Sequence, residues 1–355
     1  MGALAELIAR YPTSFVLTIQ MRDVVMEVRS NDAPVMDEIS TIYGRHVRAR
    51  VPAPRFVIHA IEGAWERDTQ GFQDYVLPNG RSKERFKDEG GTRFVVKRST
   101  GLWTVFDDQQ YVVVGPVSDT LNQLNNIINS VFMKEMDERG YLICQTAGLE
   151  LDGHGFVLAG RSGAGKTTTL LKLMEKGGVF VSNDRLLVRR SGRTFEMNGI
   201  AKWPRVNAGT MTGEPRLAAL LPAEARDRYA RMPYDELFAL EEKYDVDVAK
   251  VYGVDRFKDT SRFERIYYLS WSRKGEGFAI EPATEDDAFW QDFGPNLYRD
   301  GGVFDLRNTA STWGPPIEKR YRTALQGARI FVVKGKVDFT RIADAIASHL
   351  AEPAT

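Results

Sequence analysis

The sequence predicts a mixed α/β (α+β) chain, with a β-rich N-terminal part over residues 1–140 and an α/β part over 141–355 built around one glycine-rich loop. Three observations carry that expectation. Residues 155–188 read GFVLAGRSGAGKTTTLLKLMEKGGVFVSNDRLLV: a short apolar strand, a glycine loop, a helix and a second strand. Residues 1–140 instead hold short β-type runs with a few helical stretches between them. A chain of 355 residues with 43% apolar and 27% charged content is long enough for two domains and has the composition of a globular protein.

In chain order, residues 2–10 suit a short amphipathic helix stopped by Pro12. The runs 15–19 and 24–28 suit a hairpin, and Ser30, Asn31 and Asp32 offer caps for a helix reaching Tyr43. Strands are expected at 55–61, 92–97, 103–106 and 111–114. Residues 63–91, rich in charge and carrying Asn79-Gly80 and Gly90-Gly91, read as a long exposed excursion. Leu121, Leu124, Ile127, Ile128, Val131 and Phe132 mark one face of a helix that Gly140 ends. His59 and His154 stand alone and read as a packed or surface histidine and a hairpin residue.

The glycine loop carries the chemistry. Gly160, Gly165, Lys166 and Thr167 match G-x-x-x-x-G-K-[ST] at every fixed position. That makes Gly160, Arg161, Ser162, Gly163, Ala164, Gly165, Lys166, Thr167 and Thr168 the expected nucleotide-binding residues. Gly160, Gly163 and Gly165 let successive amides turn towards a phosphate without a Cβ in the way, and the helix opening at Lys166 adds its unpaired N–H groups and positive dipole end. Lys166 suits the β- and γ-phosphates, and the Thr167 hydroxyl suits Mg²⁺. The bland alternative is a glycine turn opening an ordinary helix.

Beyond that helix, Gly177-Gly178 leads to a strand that delivers Ser182, Asn183 and Asp184 to its end. A carboxylate there suits a magnesium site or a catalytic role, and a turn cap is the alternative. Residues 186–188 and 194–197 form a second expected hairpin. The stretch 198–210, with Lys202 and Arg205, reads either as an anion-lined loop or as a turn with solvated bases. Helical pieces are expected at 217–221, 223–231 and 234–243. The acidic run from Glu241 to Asp247 reads as a wet helix end, with a substrate or second metal site as the lesser reading. Strands at 265–271, 277–280 and 329–333, a helix at 284–292 and a closing helix at 339–350 capped by Asp338 complete the chain.

Forty-eight basic and 48 acidic side chains cancel, so no global field favours nucleic acid or an anionic membrane. The single cysteine, Cys144, lies in an apolar run and reads as a buried small hydrophobe. No apolar run nears the ~18 residues of a membrane span, and residues 1–12 lack the pattern of an export signal. A cytoplasmic setting is expected; the oligomeric state, a homo-oligomer included, stays open.

Residues 142–200 resemble the HPr kinase/phosphorylase group, kinases with a phosphoenolpyruvate-carboxykinase-like P-loop nucleotide domain. The matching pieces are Gly160–Thr167, Ser182-Asn183-Asp184 and Glu196-Met197-Asn198-Gly199. SNDRLLV, PRVNAGT and LEEKYDV look like the HPr-kinase-related kinase B branch, which carries the match to Tyr252. The resemblance implies ATP and Mg²⁺ as cofactors, Asp184 and Glu196 as metal-side carboxylates beside Thr167, and an ATP-grasp or CofD-like partner protein. Two positions depart from the group: Asn183 stands where an aspartate is usual, and Gln145 where a histidine is usual.

The expectation is therefore an ATP-dependent kinase acting on a hydroxyl of a small molecule or partner protein. Lys166 braces the phosphates, Asp184 orients the nucleophile, and Arg205, Lys202 or Arg185 neutralises the group in transfer. An amide cannot accept a proton, so Asn183 and Gln145 support the alternative of a catalytically weak or inactive nucleotide-binding sensor or scaffold.

Overall fold

The structure, a computed structural model, describes residues 2–49, 53–77, 80–240, 242–272, 274–308 and 312–352. Asn79 and Glu241, which figure in the expectations above, lie outside the described residues. The chain divides into two compact units, Met1–Gly140 with Asp300–Thr312, and Tyr141–Arg299 with Trp313–Thr355.

Among the described residues the first unit is one eight-stranded sheet with three α-helices. Its elements are α1 (Ala3–Arg10), β1 (Phe15–Met21), β2 (Val24–Ser30), α2 (Ala33–Tyr43), β3 (Phe56–Glu62), β4 (Gln73–Val76), β5 (Ser82–Glu89), β6 (Thr92–Lys97), β7 (Leu102–Phe106), β8 (Gln110–Gly115) and α3 (Leu121–Glu138). The strand order is β1-β2-β3-β8-β7-β6-β5-β4, with β3 parallel to both its neighbours and the other pairs antiparallel. Leu7 of α1 seals one face over Phe94, Trp103, Val105, Val112 and Val114. The Asp32 carboxylate caps α2 by accepting from the Val35 N–H at 2.9 Å.

Two expectations are corrected here. Residues 63–91 are not an excursion, since β4 and β5 extend the sheet and bury Phe72, Tyr75 and Phe86. The strand Ser82–Glu89 reads SKERFKDE, and with Phe86 its one buried residue the charges along it hide the strand pattern. The expected division at 140 assigned 300–312 to the second part, whereas it belongs with the first. Arg93 explains why: wholly buried in β6, it holds both Asp88 oxygens at 2.7 and 2.8 Å and donates to the carbonyls of Val303, Asp305, Leu306 and Asn308 at 2.6–3.2 Å.

The second unit begins with β9 (Leu142–Cys144), β10 (Ala147–Leu151), β11 (His154–Gly160), α4 (Lys166–Glu175), β12 (Val179–Ser182), β13 (Leu186–Ser191), β14 (Thr194–Asn198) and β15 (Arg205–Asn207). It continues with α5 (Ala208–Gly213), α6 (Pro215–Ala218), α7 (Ala223–Ala230), α8 (Tyr234–Ala239), β16 (Lys243–Asp245), α9 (Val248–Tyr252), β17 (Thr260–Phe263) and β18 (Arg265–Leu269). It closes with β19 (Phe278–Pro282), α10 (Asp287–Leu297), α11 (Pro315–Leu325), β20 (Arg329–Gly335) and α12 (Phe339–Ala351).

A six-stranded sheet, β12-β10-β11-β18-β20-β19, forms its centre, with β11, β18 and β20 parallel. Strand β11 is buried on both faces, as a central parallel strand must be. Phe156 and Leu158 face α4 and α12 through Leu170, Leu171, Ile342 and Ile346. Val157 and Ala159 face a four-stranded sheet, β17-β14-β13-β9, and the helices α10 and α11. The acidic run ends in a strand rather than a helix: α8 stops at Ala239, and β16 pairs with β15, matching Arg205 to Asp245 and Val206 to Tyr244. Asp338 caps α12, accepting from the Arg341 N–H at 3.0 Å. Among the described residues no helix is long and apolar enough to cross a membrane.

Candidate functional site

A buried apolar strand that ends in glycines leaves the sheet abruptly, and here it opens one wall of a cavity of about 710 Å³. The wall is built from Ser162, Gly163 and Gly165 of the loop after β11, from Lys166, Thr167, Thr168 and Lys172 of α4, and from Asn183 and Asp184 after β12. Lys202, Trp203, Arg205, Thr210 and Thr212 also line it, with Lys243 of β16 and Phe339 of α12. Gln145 also lines it.

Gly163 and Gly165 have φ of +79° and +80°, the left-handed region that a side chain resists. A Cβ on Gly163 would meet nothing within 4 Å, whereas one on Gly165 would strike the Phe339 ring at 2.1 Å. No side chain caps the ten-residue α4, so its first-turn amides stay available beside the cavity. The Lys166 ammonium folds back onto the loop, donating to the carbonyls of Gly160 at 2.6 Å and Arg161 at 3.1 Å. The Thr167 hydroxyl donates to Asn183 Oδ1 at 3.2 Å, and Thr168 and Thr210 share a hydrogen bond of 3.1 Å.

The turn after β12 is tight. Ser182 donates its hydroxyl to the Arg185 carbonyl, and Asp184 has a φ of +68°, a conformation that aspartate tolerates better than most residues. Asp184 is exposed. Its negative charge acts on Lys166, Arg185 and Lys202.

Not every expected residue comes to the cavity. Gly160, Arg161 and Ala164 are absent from its wall: Arg161 turns away to Asp292 at 2.5 Å, and the Ala164 carbonyl accepts the Trp271 indole N–H at 2.7 Å. Glu196 is the clearest correction. Alternation along β14 buries Phe195 and Met197 and turns Glu196 to the other side. There it accepts from the Tyr141 hydroxyl at 2.5 Å and faces Arg189 at 3.8 Å, away from the cavity. Arg205 does line the cavity, with Asp245 at 3.4 Å across the β15–β16 pair. Thr210, Lys243 and Phe339 were not singled out from the sequence; only the pairing of β15 with β16 shows that Lys243 leaves the acidic run for this wall.

The charge here is lopsided in a chain that is neutral overall. Lys166, Lys172, Lys202, Arg205 and Lys243 face Asp184 and Glu214, and Glu214 is already paired with Lys172. Burial lowers the Lys166 pKa, with Asp184 opposing. Burial first, then the Arg185 charge, pushes Lys202 down to about 8. The unfolded chain therefore holds more protons than the folded one between about pH 8 and the ordinary lysine value. Lys202 weakens the fold most below pH 8, and that penalty fades as pH rises through the window. Urea midpoints measured from pH 7 to 10 should rise less in Lys202→Met than in wild type; equal slopes would show that Lys202 is not the group titrating.

The donors suit the expected cofactors. An open cradle at Gly163, the uncapped α4 amides and Lys166 suit phosphates. Thr167 and Asp184 are hard oxygen donors of the kind magnesium takes together with water and substrate phosphates. Among the described residues no group of three His, Cys, Asp or Glu could hold a metal by itself.

No protein-family model matches the chain, and no curated protein matches it in sequence. Among solved structures, the chain is similar to the Hpr(Ser) kinase/phosphatase from Coxiella burnetii at 10% identity, over 58% of this chain and 95% of that one, with a TM-score of 0.30. That likeness to a kinase fold is distant.

Proposed function

We propose that this protein is a kinase that transfers the γ-phosphoryl group of ATP to a hydroxyl of a small molecule or partner protein. One observation carries the reading: a left-handed glycine loop, an uncapped helix N-terminus, Lys166 and Asp184 share a single cationic cavity. Loop amides and the first turn of α4 bind and orient the phosphates, while Lys166 swings from its two loop carbonyls to the β/γ-phosphate oxygens. Asp184 accepts the acceptor's hydroxyl proton as its oxygen bonds to the γ-phosphorus and the bond to the β-bridging oxygen breaks, releasing ADP. Bound Mg²⁺ supplies neutralisation of the phosphate charge. Lys202 and Arg205 add positive charge where negative charge collects on the group in transfer.

Asp184→Asn should lower transfer by about 10²-fold, the low end for removing a general base, because a largely dissociative transfer depends more on positioning. Binding of a non-hydrolysable ATP analogue should stay within about twofold. Turnover and calorimetry on the same preparations test this, and transfer at the wild-type rate in the variant would remove Asp184 from the mechanism. A second reading, nucleotide binding without transfer, is favoured by two amides that line the cavity, Gln145 and Asn183. It predicts no transfer by the wild type with any divalent metal, while the analogue still binds.

A further inference from the structure

Antiparallel pairing gives the β15–β16 ribbon two faces. Its register sets Arg205 opposite Asp245, Val206 opposite Tyr244 and Asn207 opposite Lys243, and side chains alternate along each strand. Val206 and Tyr244 therefore turn into the apolar core, while Arg205, Asn207, Lys243 and Asp245 share the other face. From that face Arg205, Asn207 and Lys243 line the cavity, and all three are exposed. Thr210, which follows Asn207 within one helical turn, hydrogen-bonds Thr168 at 3.1 Å, and Lys172 pairs with Glu214 one turn further along α4. The ribbon is thus tied to the helix that carries Lys166 and Thr167.

Two side chains on that face have no protein partner. Lys166, Lys172 and Arg205 each have an acceptor, but the Lys243 ammonium has none among the described residues. Asn207 stands at the N-cap of α5, where an asparagine ordinarily bonds the first turn, and its side chain makes no such bond. A cavity wall that gathers cations in this way focuses its field on an anion. We infer that Lys243 and Asn207 are further nucleotide-binding residues, donating to phosphate oxygens that the loop and α4 leave free. The inference rests on the nucleotide half of the kinase reading. The ammonium meets one charged oxygen and the carboxamide N–H₂ a second, so that ribbon and loop grip the triphosphate together.

The test is calorimetry on the full chain with Mg²⁺, using a non-hydrolysable ATP analogue in one arm and inorganic tripolyphosphate in the other. Lys243→Gln should weaken both ligands about tenfold, the scale of one charge-assisted hydrogen bond, and Asn207→Ala about threefold. Lys319→Gln, which removes an equal charge from an exposed site on α11 outside the cavity wall, should bind both as wild type does. Both ribbon substitutions fall on exposed side chains, and should one variant fail to fold, the other reads the same face. An equal loss in Lys319→Gln overturns the inference, because the effect is then one of overall charge. A loss for the analogue without one for tripolyphosphate also overturns it, because Lys243 then reads the nucleoside and not the phosphates. Wild type that binds neither ligand sinks the kinase reading and the inference with it. Wild type that binds, while Lys243→Gln loses nothing, sinks the inference and leaves that reading standing.

Discussion

Lys166→Ala should lose about 10³-fold in phosphoryl transfer, the scale seen when one charge-stabilising donor is removed from a transition state. The Lys166 ammonium donates to the carbonyls of Gly160 and Arg161. Those bonds hold the loop closed on itself, and phosphate oxygens offer the ammonium a stronger, charged alternative. The variant loses both, so its analogue affinity should fall as well, whereas Asp184→Asn keeps its own. Lys166→Arg should not restore the rate, because the forked guanidinium cannot take the place of a compact ammonium in a loop this tight. Steady-state turnover beside calorimetry separates the two residues, and wild-type turnover in Lys166→Ala would remove the loop from the reaction.

In the first unit, Arg93→Ala should destabilise by about 3–5 kcal/mol, because it removes a wholly buried side chain and the donor of four backbone carbonyls. Arg93 stacks on Phe86 with its guanidinium 4.6 Å from the ring centre, pairs with Asp88, and is the donor for four carbonyls between residues 303 and 308. Alanine leaves those carbonyls unpaired, with a void where the side chain lay. Arg93→Lys should recover little of the loss, since three donors on one nitrogen cannot span acceptors arranged around a plane. Denaturation by urea together with hydrogen exchange over 300–308 checks this. A loss under 1 kcal/mol with that segment still protected would show that other contacts hold it.

What the sequence disclosed depended on how local the controlling physics is. The loop from Gly160 to Thr167 and the turn at Ser182–Arg185 were legible because glycine spacing and a strand end act within a few residues. Strand β5 was not, because its register comes from β4 and β6 rather than from any alternation in SKERFKDE. The site divided in the same way. Lys202 and Arg205 stood out as bases in a glycine-bearing stretch, yet Lys243 reaches the wall only through a two-stranded pairing formed by residues 205–207 and 243–245. Glu196 was misplaced because a motif fixes position along the chain, whereas strand alternation decides the side. The contact of Phe339 with Gly165 joins residues too far apart for any pattern to reveal.

The home of residues 300–308 bears on how this chain emerges from the ribosome. Arg93 leaves the exit tunnel 210 residues before Val303, the first carbonyl it binds. At common elongation rates that is a wait of roughly 10–40 s. Throughout that interval the amino-terminal sheet stands with a guanidinium that has Asp88 but not yet its four carbonyl acceptors, and a nascent chain released before residue 308 would carry that defect permanently.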